Sequence, residues 1–427
     1  MQNDPRTHGL WEVSAPPVPP TEVLTDNITA DVVIIGAGFT GLSAALHLAE
    51  DKQHAVVLEA GEIGFGGSGR NVGLVNAGMW IKPFDLCNTL GDTLGRRLID
   101  QLSDAPAMVF ELVEKYGMAC EALNNGTLHC AVGQSGLREV TERARQWRSL
   151  GASVELLDAK STREKVGTGT YSGALLDRRA GTIQPLAYAR ALARAAIAGG
   201  ATVHTSSPVV SAEPAPGGWK IKTSRGSVTA SRVIVATNTY SNGFSQALQT
   251  ELVRLPYFNV ATRRLSDSLL ASILPERQGL WNTSAVLSSM RLDAEGRLIF
   301  GSVGALRGTG KQIHRNWARR ALSKLFPQLS DVEFEHEWYG WIGMTPDSLP
   351  RFHRLEQNII SISGYNGRGI GAGTSFGRDL ARLVTGRMTE AELSLPLSEV
   401  ANTQFRVAKE SFYEIGSQVA HMVGHRF

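Results

Sequence analysis

The residues best suited to chemistry near the start of this chain are three glycines and one acid. Gly36, Gly38 and Gly41 follow an apolar run at residues 32–35 and fit the pattern G-x-G-x-x-G. In that pattern the glycines permit a tight turn, a close approach of the backbone to a pyrophosphate and close packing of the next helix. Glu59 follows Gly41 by 18 residues, near the spacing at which an acid accepts hydrogen bonds from an adenosine ribose. The pattern therefore predicts a dinucleotide site.

Two further glycine-rich loops could approach the same ligand. Residues 64–71 read GFGGSGRN and follow the acid closely, where a nicotinamide-binding chain would continue with another strand and helix. Residues 364–371 read GYNGRGIG and stand between an apolar run and a helix pattern, so a helix N-terminus would face the ligand. Loops of this kind let backbone N–H groups contact a flat or phosphorylated molecule.

The elements that must position these loops follow from hydrophobic periodicity. Residues 32–35 and 55–58 have the length of buried parallel strands, and a helical stripe lies between them. A further buried strand over 233–238 ends in small and polar residues, and strand, helix and strand recur over 172–205. Residues 88–150 carry helical stripes that indicate core packing. The remaining predictions are a β-meander over 206–232, a hairpin over 286–300 and a helix over 315–326.

Composition limits the classes of function. The sequence is 42% hydrophobic and 19% charged, and its formal charge of +3 does not favour nucleic acid as a partner. Cys87, Cys120 and Cys130 lack metal-ligand spacing, so no metal is expected. There is no apolar run of transmembrane length, and the first residues do not resemble a secretory signal. The chain is expected to be cytoplasmic, with peripheral contact at the inner membrane left open.

Four stretches together resemble the glycine-oxidase and sarcosine-oxidase type of FAD-dependent amine oxidoreductase, the D-amino-acid-oxidase family. They read IIGAGFTG…VVLEA, GFGGSGRN, VIVATN and GYNGRG, and they span residues 31 to about 385 in the family's order. Within this family the sequence is similar to bacterial γ-glutamylputrescine oxidases in GLSAALHLAE, IGFGGSGRNVG and SGALLD, and to L-pipecolate oxidases in GGSGRNVGLVNAGMW. It departs from the usual loop GASGRNGG at Val72, which stands in place of a glycine.

The resemblance implies an α/β fold with two parts. An FAD-binding Rossmann-like domain of the glutathione-reductase type would carry an inserted antiparallel-sheet substrate domain. Before it, residues 1–30 would form an arm without helix, because the prolines within residues 16–20 favour extended backbone. The FAD-binding domain would comprise residues 31–87, 151–249 and 336–427, and the substrate domain residues 88–150 and 250–335.

Carried over position by position, the resemblance implies a contact for each part of FAD. The residues through Gly41 would hold the pyrophosphate, and Glu59 the adenosine ribose. Residues 68–71 would lie along the phosphate–ribityl side, Val209 would meet the adenine through its backbone, and residues 367–370 would face the pyrimidine end of the ring. The expected cofactor-binding residues are Gly36, Gly38, Phe39, Thr40, Gly41, Glu59, Ala60, Ser68, Gly69, Arg70, Asn71, Val209, Gly367, Arg368, Gly369 and Ile370.

FAD is expected to be bound without a covalent link. The covalent flavin of sarcosine oxidases needs a cysteine in the region that here reads GWIGMTP, residues 340–346. No cysteine follows Cys130 in the sequence, so a link of that kind should be absent.

Amine oxidation depends on orientation more than on acid–base side chains, and the sequence contains no motif for a catalytic triad or paired carboxylates. Arg368, at a helix start, is the candidate for stabilising negative charge on the reduced ring. Arg291 is a candidate for binding a substrate carboxylate, although Arg263, Arg264 and Arg351 are equally available. Five aromatic residues could form an apolar box for an aliphatic amine or belong to an ordinary core: Trp80, Tyr257, Phe258, Trp281 and Trp341.

The expected activity is oxidation of a secondary amino acid or amine by hydride transfer to flavin N5. The products would be an imine and reduced flavin, with hydrogen peroxide if oxygen is the acceptor. L-Pipecolate, in lysine catabolism, is the first candidate substrate, and γ-glutamylputrescine or another polyamine derivative is the alternative. A non-catalytic flavoprotein or a tRNA-modifying subunit is the alternative of another class. The expected partners are a small amine or amino acid and either oxygen or a respiratory-chain acceptor, without nucleic acid.

Overall fold

The structure, a computed structural model, describes residues 8–241 and 246–424. Helices in these two parts are α1 (Leu10–Ser14), α2 (Phe39–Glu50), α3 (Pro83–Lys115), α4 (Gly133–Ser149), α5 (Ala159–Val166), α6 (Pro185–Ala198), α7 (Gln246–Glu251), α8 (Asp267–Leu270), α9 (Gly308–Leu325), α10 (Gly369–Val384) and α11 (Arg406–Val423). Strands are β1 (Asn27–Ile35), β2 (Ala55–Leu58), β3 (Leu74–Val75), β4 (Thr127–Ala131), β5 (Val154–Leu157), β6 (Gly173–Asp177), β7 (Gly181–Thr182), β8 (Thr202–His204), β9 (Val209–Ala215), β10 (Gly218–Thr223), β11 (Ser227–Val235), β12 (Val253–Arg264), β13 (Gly279–Asn282), β14 (Ser288–Leu292), β15 (Arg297–Val303), β16 (Phe334–Met344), β17 (Arg351–Glu356), β18 (Ile359–Ser363) and β19 (Leu397–Ser398).

The first sheet contains the predicted βαβ unit at its centre. Its main strand order is β19-β17-β18-β11-β1-β2-β8, and β1 pairs in parallel with both β2 and β11. The apolar run of β1 is buried on both faces. Val32 and Ile34 pack under α2, α6 and α10, whereas Val33 and Ile35 pack under the antiparallel β9-β10-β11 meander. Burial on both faces explains why the run does not alternate with polar residues.

The second sheet is the antiparallel one expected for a substrate domain. Its order is β16-β12-β15-β14-β13-β4-β6-β5, and its pairs are antiparallel except for β13 with β4. β14 and β15 form the hairpin predicted around residues 293–296. One face packs on α9, and the other contributes Trp338 to a cluster with Trp11 and Leu186. The α/β fold with an antiparallel second sheet is therefore confirmed.

The sheets differ from the expected sequence boundaries at three places. Strands β5 and β6, within 151–249, lie in the second sheet, and so does all of β16, which crosses residue 336. Conversely, α3, which falls mostly in the stretch expected for the substrate domain, starts before residue 88 and packs along α10 of the other domain. A Cβ on Gly371 of α10 would lie 3.2 Å from the Cβ of Ala105 on α3. β4 interrupts the predicted helical stretch, and all five of its residues are buried. A short strand buried on both faces has no alternation by which the sequence could reveal it.

The arm contains a helix that the sequence analysis did not predict. Residues 1–7 lie outside the described residues, and α1 spans Leu10–Ser14, just before the prolines. The indole of Trp11 is fully buried against Trp338, with the ring centroids 5.5 Å apart. Tertiary packing of Leu10 and Trp11 therefore stabilises a turn of helix that would be marginal alone.

In residues 8–241 and 246–424, none of the helices combines the length and hydrophobicity that a membrane span requires.

Candidate functional site

The carboxyl ends of four parallel strands meet at one edge of the first sheet. Gly36 N–H donates to the Leu58 carbonyl at the end of β2, and Ala236 N–H donates to the last carbonyl of β1, both at 2.8 Å. β18 pairs with β11, and the loop after β18 is joined to the end of β11 because Gly364 N–H donates to Asn238 Oδ1 at 3.0 Å. The loops after β1, β2 and β18 therefore leave the sheet at a common edge, which is where α/β sheets bind ligands.

The first loop is a cradle of backbone in which side chains would not fit. Gly36 has φ of 107°, and a Cβ there would lie 2.9 Å from the Ala236 carbonyl oxygen. A Cβ on Gly41 would lie 2.0 Å from the Gly36 carbonyl oxygen, so α2 can begin this close to β1 only with glycine at that position. Gly38 is the N-cap of α2, and Phe39 and Thr40 begin the helix. The first N–H groups of a helix suit a pyrophosphate.

Glu59 lies directly after β2, and its carboxylate is bonded to this cradle. One oxygen accepts from Ala37 N–H and the other from Gly61 N–H, each at 2.8 Å. Burial raises the pKa of Glu59, and hydrogen bonds from the backbone of Ala37, Gly61 and Ala60 oppose that shift. Each carboxylate oxygen has more than one lone pair, so Glu59 can also accept from a ribose hydroxyl.

The second loop is fixed to the first. Gly64 N–H donates to the Ala37 carbonyl at 2.9 Å, and Phe39 N–H donates to Ser68 Oγ at 3.0 Å. A Cβ on Gly69 would lie 2.4 Å from the Gly64 carbonyl oxygen, which explains the glycine spacing. Ser68 and Gly69 therefore lie beside the start of α2.

The end of the second loop is anchored by the second sheet and by the arm. The Arg70 carbonyl accepts from Asn259 Nδ2 at 3.1 Å and from Trp338 Nε1 at 3.0 Å. The Asn71 carbonyl accepts from the indole of Trp11 at 2.9 Å. Arg70 and Asn71 therefore join the two sheets at the candidate site.

The third loop places the start of α10 beside the start of α2. Tyr365 Oη lies 2.6 Å from Thr40 Oγ1. The N-cap of α2 is Gly38, which has no side chain to accept from the first N–H groups of the helix. The N-cap of α10 is Arg368, and in the described residues its side chain makes no such capping hydrogen bond. Two helix N-termini thus lie at the same edge of the sheet, where their partial positive charges favour an electron-rich ligand.

The turn into α10 depends on glycine. Gly367 has φ of 86°, a left-handed conformation that glycine adopts without strain. Gly369 begins α10, and Ile370 is buried in the core between the first sheet and its helices. Residues 367–370 therefore form the corner between β18 and α10, as the sequence predicts.

Two other positions gain a structural explanation. Asn238, at the end of the stretch VIVATN, has φ of 46°, and asparagine is among the residues that tolerate this region. Val209 begins β9, two residues after Ser207, whose N–H donates to the Glu59 carbonyl at 2.8 Å. The backbone around Val209 therefore lies on the Glu59 side of the site.

A small cavity lies where the second sheet faces these loops, with Arg368 at its wall. The guanidinium lies beside two indoles that contact each other, its Cζ 4.8 Å from the ring centroid of Trp80 and 4.7 Å from that of Trp281. His129 stacks on Trp281 with the ring centroids 3.4 Å apart. Burial is the main cause that lowers the pKa of Arg368, to about 9, so the group stays charged at neutral pH. The cavity is lined by Asn76, Ala77, Thr127, His129, Arg143, Trp147, Leu175, Asp177, Trp281 and Arg368.

Several polar atoms at this cavity are buried without a hydrogen-bond partner in the described part of the chain. They are Nε and Nη2 of Arg368, Nδ1 of His129 and Nε of Arg143. Burial, followed by the charges of Arg143 and Arg368, lowers the pKa of His129 well below its ordinary value, so its ring is neutral. Unpaired buried donors of this kind are rare in folded proteins and call for an explanation.

Arg291 is placed differently from what a substrate-binding arginine requires. It is 1% exposed, and each of its guanidinium nitrogens donates to the protein. Nε donates to the Leu292 carbonyl, Nη1 to the Ile183 carbonyl and Nη2 to Glu121, 3.2 Å away. The structure therefore gives Arg291 an internal partner for every nitrogen.

The other arginine candidates lie in surface ion pairs. Arg263 pairs with Glu333 at 3.0 Å, and both side chains are more than half exposed. Arg264 lies near Asp267, and Arg351 donates to an acid four residues earlier. These three do not line the cavity.

The aromatic candidates separate into two groups. Trp80 and Trp281 meet edge to face with the centroids 5.0 Å apart, at the cavity. Phe258 lies in the core between the second sheet and α9, and Tyr257 bonds to Ser289 through its hydroxyl at 2.7 Å. Trp341 lies on β16 near Tyr339. Of these five candidates, Trp80 and Trp281 are the two whose rings contact the Arg368 guanidinium.

Sequence reasoning missed His129 and Arg143. His129 lies on β4, a strand that it did not predict. Arg143 shares the buried side of α4 with Val140, Ala144 and Trp147, and it donates to the Trp80 carbonyl at 2.7 Å. An arginine inside an apolar helical stripe is a signal that could have identified it.

The fold and the glycine cradles define an oxidoreductase-type dinucleotide site, and its residues fit FAD. Positions where a Cβ would clash leave backbone free to approach a dinucleotide, and a buried carboxylate follows the second strand, as in dinucleotide-binding βαβ units. Residues 31–383 match the family described as FAD dependent oxidoreductase, and the chain belongs to this family. It is an FAD-dependent oxidoreductase.

Individual relatives agree with this assignment. The chain is 34% identical to the γ-glutamylputrescine oxidoreductase of Escherichia coli K12 over 392 residues, which cover 89% of each protein. It is 29% identical to the probable oxidoreductase OrdL of Haemophilus influenzae over 401 residues, 92% of each. The crystal structure of glycine oxidase from Geobacillus kaustophilus shares the fold, with a TM-score of 0.70 at 20% identity, covering 85% of this chain and 96% of that one.

Proposed function

We propose that this enzyme oxidises the primary amine of an acylated diamine, with γ-glutamylputrescine as the first candidate substrate. The observation that carries this proposal is the 34% identity to a γ-glutamylputrescine oxidoreductase across 89% of both chains. The similarity covers the cofactor loops as well as both sheets, so it is not confined to a common nucleotide-binding unit.

The chemistry needs little acid–base help from the protein. Bound FAD supplies a hydride acceptor for the carbon next to the amine nitrogen. The substrate loses that hydride and a proton from nitrogen, a C=N bond forms, and the imine of a primary amine is hydrolysed by water to an aldehyde and ammonia. The chain would hold FAD through Gly36, Gly38, Gly41 and Glu59, without a covalent bond, and the start of α10 would stabilise negative charge on the ring.

The cavity would favour the neutral form of the amine. Arg368 and Arg143 are both buried at its wall, and positive charge nearby lowers the pKa of an ammonium group. An amine that has lost its proton retains the lone pair that forms the C=N bond. The arrangement therefore assists the reaction by selecting a protonation state.

L-Pipecolate is the second candidate. The stretch GGSGRNVGLVNAGMW supports it. In pipecolate the carboxylate is attached to a carbon next to the nitrogen, whereas in γ-glutamylputrescine it lies at the far end of the molecule. The two candidates therefore place the same charge at different distances from the reacting bond.

Anaerobic reduction tests the proposal. Purified holoenzyme is mixed without oxygen with γ-glutamylputrescine, N-acetylputrescine, putrescine, L-pipecolate and L-proline, and loss of the flavin's visible absorbance is followed. Fastest bleaching by γ-glutamylputrescine, with an aldehyde product, supports the first candidate. Bleaching by L-pipecolate alone would replace it with the second, and no bleaching by any amine would refute amine oxidation. Readmission of air with a peroxide assay then determines whether oxygen is an acceptor.

A further inference from the structure

We propose that the outward face of α11 binds the same face of a second copy of this chain, with the two helices antiparallel. We call this face the α11 stripe, and its members are exposed apolar residues: Phe405, Ala408, Phe412, Ile415, Val419, Met422 and Val423. The inference stands apart from the proposed function, because the α11 stripe does not line the cavity beside Arg368.

The polar side of α11 faces the protein, and its apolar side faces solvent. Glu414 pairs with Arg307 at 2.5 Å. Ser417 and His421 are buried, and Nδ1 of His421 lies 2.7 Å from Nδ1 of the buried His314 on α9. A helix on the surface of a monomer normally has the opposite orientation, with its apolar side on the core. The reversed orientation of α11 leaves an apolar surface of the kind that marks an interaction site.

Contacts near both ends of α11 hold the helix in this orientation. Near its start, Glu410 accepts from the Arg254 N–H of β12 at 3.1 Å. Near its end, the His421 carbonyl accepts from Arg320 Nη2 of α9 at 2.7 Å, and the His421 ring stacks on Trp317 with the ring centroids 3.8 Å apart. The helix is therefore an integral part of the fold, and the α11 stripe is a fixed feature of its surface.

The spacing of the α11 stripe is that of a seam between two helices. Its positions 408, 412, 415, 419 and 422 are separated alternately by four and three residues, which is the a/d pattern of a coiled coil. A helix that lies on a membrane instead combines its apolar face with a polar face rich in lysine and arginine. In α11 the charges of Arg406 and Lys409 are balanced by those of Glu410 and Glu414. The pattern therefore favours a helical partner over a lipid surface.

The exposed area is sufficient for a pair of identical chains. Phe405, Phe412 and Ile415 are 78%, 72% and 62% exposed. With the smaller members, the α11 stripe exposes on the order of 600 Å² of apolar surface, as much as the largest patch on a typical monomer. Two such surfaces packed together would bury about 1,200 Å² in total, which is within the range of specific interfaces. A second copy supplies the matching helix without any other protein.

Size and charge along the α11 stripe favour the antiparallel arrangement. The bulky Phe405 and Phe412 lie in its first half, and the smaller Val419 and Val423 lie in its second half. An antiparallel pair places each bulky half against the smaller half of the partner, as close packing requires. Lys409 is exposed beside the α11 stripe. In a parallel pair the two Lys409 side chains would lie at the same level, whereas in an antiparallel pair centred at position 414 they would be about 15 Å apart along the helix axes.

The experiment measures the mass in solution of four forms of the holoenzyme by light scattering: wild type, Phe412→Glu, Ile415→Glu and the control Val407→Glu. Val407 also lies on α11 and is 65% exposed. It precedes Phe412 by five residues, which places it about 140° around the helix and outside the α11 stripe. Flavin content and Tm of each form show that it is folded, and both should match wild type because all three substituted side chains are exposed.

We expect wild type and Val407→Glu to have the mass of two chains at about 50 µM, whereas Phe412→Glu and Ile415→Glu should raise the dissociation constant of the dimer by about 100-fold or more, because a charge would be buried without a partner. A single-chain mass for wild type, or dimers retained in both stripe variants, would overturn the inference. Single-chain wild type that binds vesicles of anionic phospholipid would overturn it in favour of a lipid surface.

Cysteine cross-linking tests the orientation of the two helices. Position 415 lies next to the centre of the antiparallel pair, whereas the two copies of position 422 would be about 24 Å apart along the helix axes. Mild oxidation should therefore link Ile415→Cys into covalent dimers and leave Met422→Cys unlinked, with wild type as the control for the partly exposed Cys87. Equal linking of both variants would overturn the antiparallel arrangement, and linking of neither would overturn pairing through the α11 stripe.

Discussion

Replacing Arg291 by methionine should destabilise the protein while leaving substrate recognition intact. The substitution breaks a buried pair with Glu121 and removes the donors to two backbone carbonyls. Breaking a buried pair by removing one partner costs about 3–5 kcal/mol, and the unsatisfied carbonyls are part of that cost. With about 2.1 cal/mol/K per residue over 427 residues, the unfolding entropy is about 0.9 kcal/mol/K, so Tm should fall by about 3–6 °C.

The pH dependence of this loss is a second readout. Burial raises the pKa of Glu121, and the charge of Arg291 is the largest influence that lowers it. Without Arg291 the folded-state pKa of Glu121 should rise further above its unfolded value. A raised carboxyl pKa contributes stability below the unfolded pKa that is lost as pH rises through the folded pKa. The deficit in Tm relative to wild type should therefore be smaller near about pH 5 than near about pH 8.

Calorimetric or fluorescence melting measures both effects, and Arg263→Met is the matched control. Arg263 forms an ion pair with Glu333 in which both side chains are exposed, so its loss should shift Tm by less than about 1 °C. The reasoning would be refuted if Arg291→Met melted like wild type and raised KM for a carboxylate substrate more than about tenfold. That result would make Arg291 the substrate-binding arginine.

Four further predictions concern the cofactor and the packing around it. Glu59→Gln should weaken FAD binding about tenfold or more in a fluorescence titration, because an amide nitrogen would face backbone donors and one acceptor would be lost; unchanged affinity would remove Glu59 from the site. Trp11→Phe should speed FAD loss on dilution, since the indole bond to the Asn71 carbonyl fixes the second loop, and a form that retains FAD like wild type would contradict this. Gly377→Ala should lower Tm because its Cβ would lie 2.5 Å from a carbonyl oxygen of α2, whereas Gly416→Ala on exposed α11, with open space around its Cβ, should raise stability by up to about 1 kcal/mol. Acid precipitation should release the flavin into the supernatant, and colour retained in the pellet would indicate a covalent bond.

The cofactor half of the site was predictable from the sequence because its determinants are local. The strand before Gly36, the helix after Gly41 and the acid at the end of the next strand lie within one supersecondary unit. Each glycine is required by a contact a few residues away or by the adjoining strand, as with the 2.0 Å approach of a Gly41 Cβ to Gly36. Such requirements fix the spacing of the glycines and the acid, and this spacing can be recognised in a single sequence.

The substrate half depended on pairing between distant segments. β4 and β13 lie about 150 residues apart, and their parallel register places His129 opposite Trp281. The corner before α10 adds Arg368, and α4 adds Arg143. No periodicity in the sequence records that these residues meet.

The sequence by itself determined the βαβ unit, the glycine-rich loops and the antiparallel hairpin, because backbone conformation and strand or helix periodicity depend on residues close together in the chain. Only the tertiary structure decided which arginine has buried N–H donors that lack an acceptor in the described residues. Arg291 and Arg368 are alike as residues in a sequence. They differ because folding gives each nitrogen of Arg291 an acceptor, whereas Nε and Nη2 of Arg368 are buried at a cavity without one in the described residues. Charge partners and burial arise from long-range contacts, and those contacts separate a structural arginine from one available for a substrate.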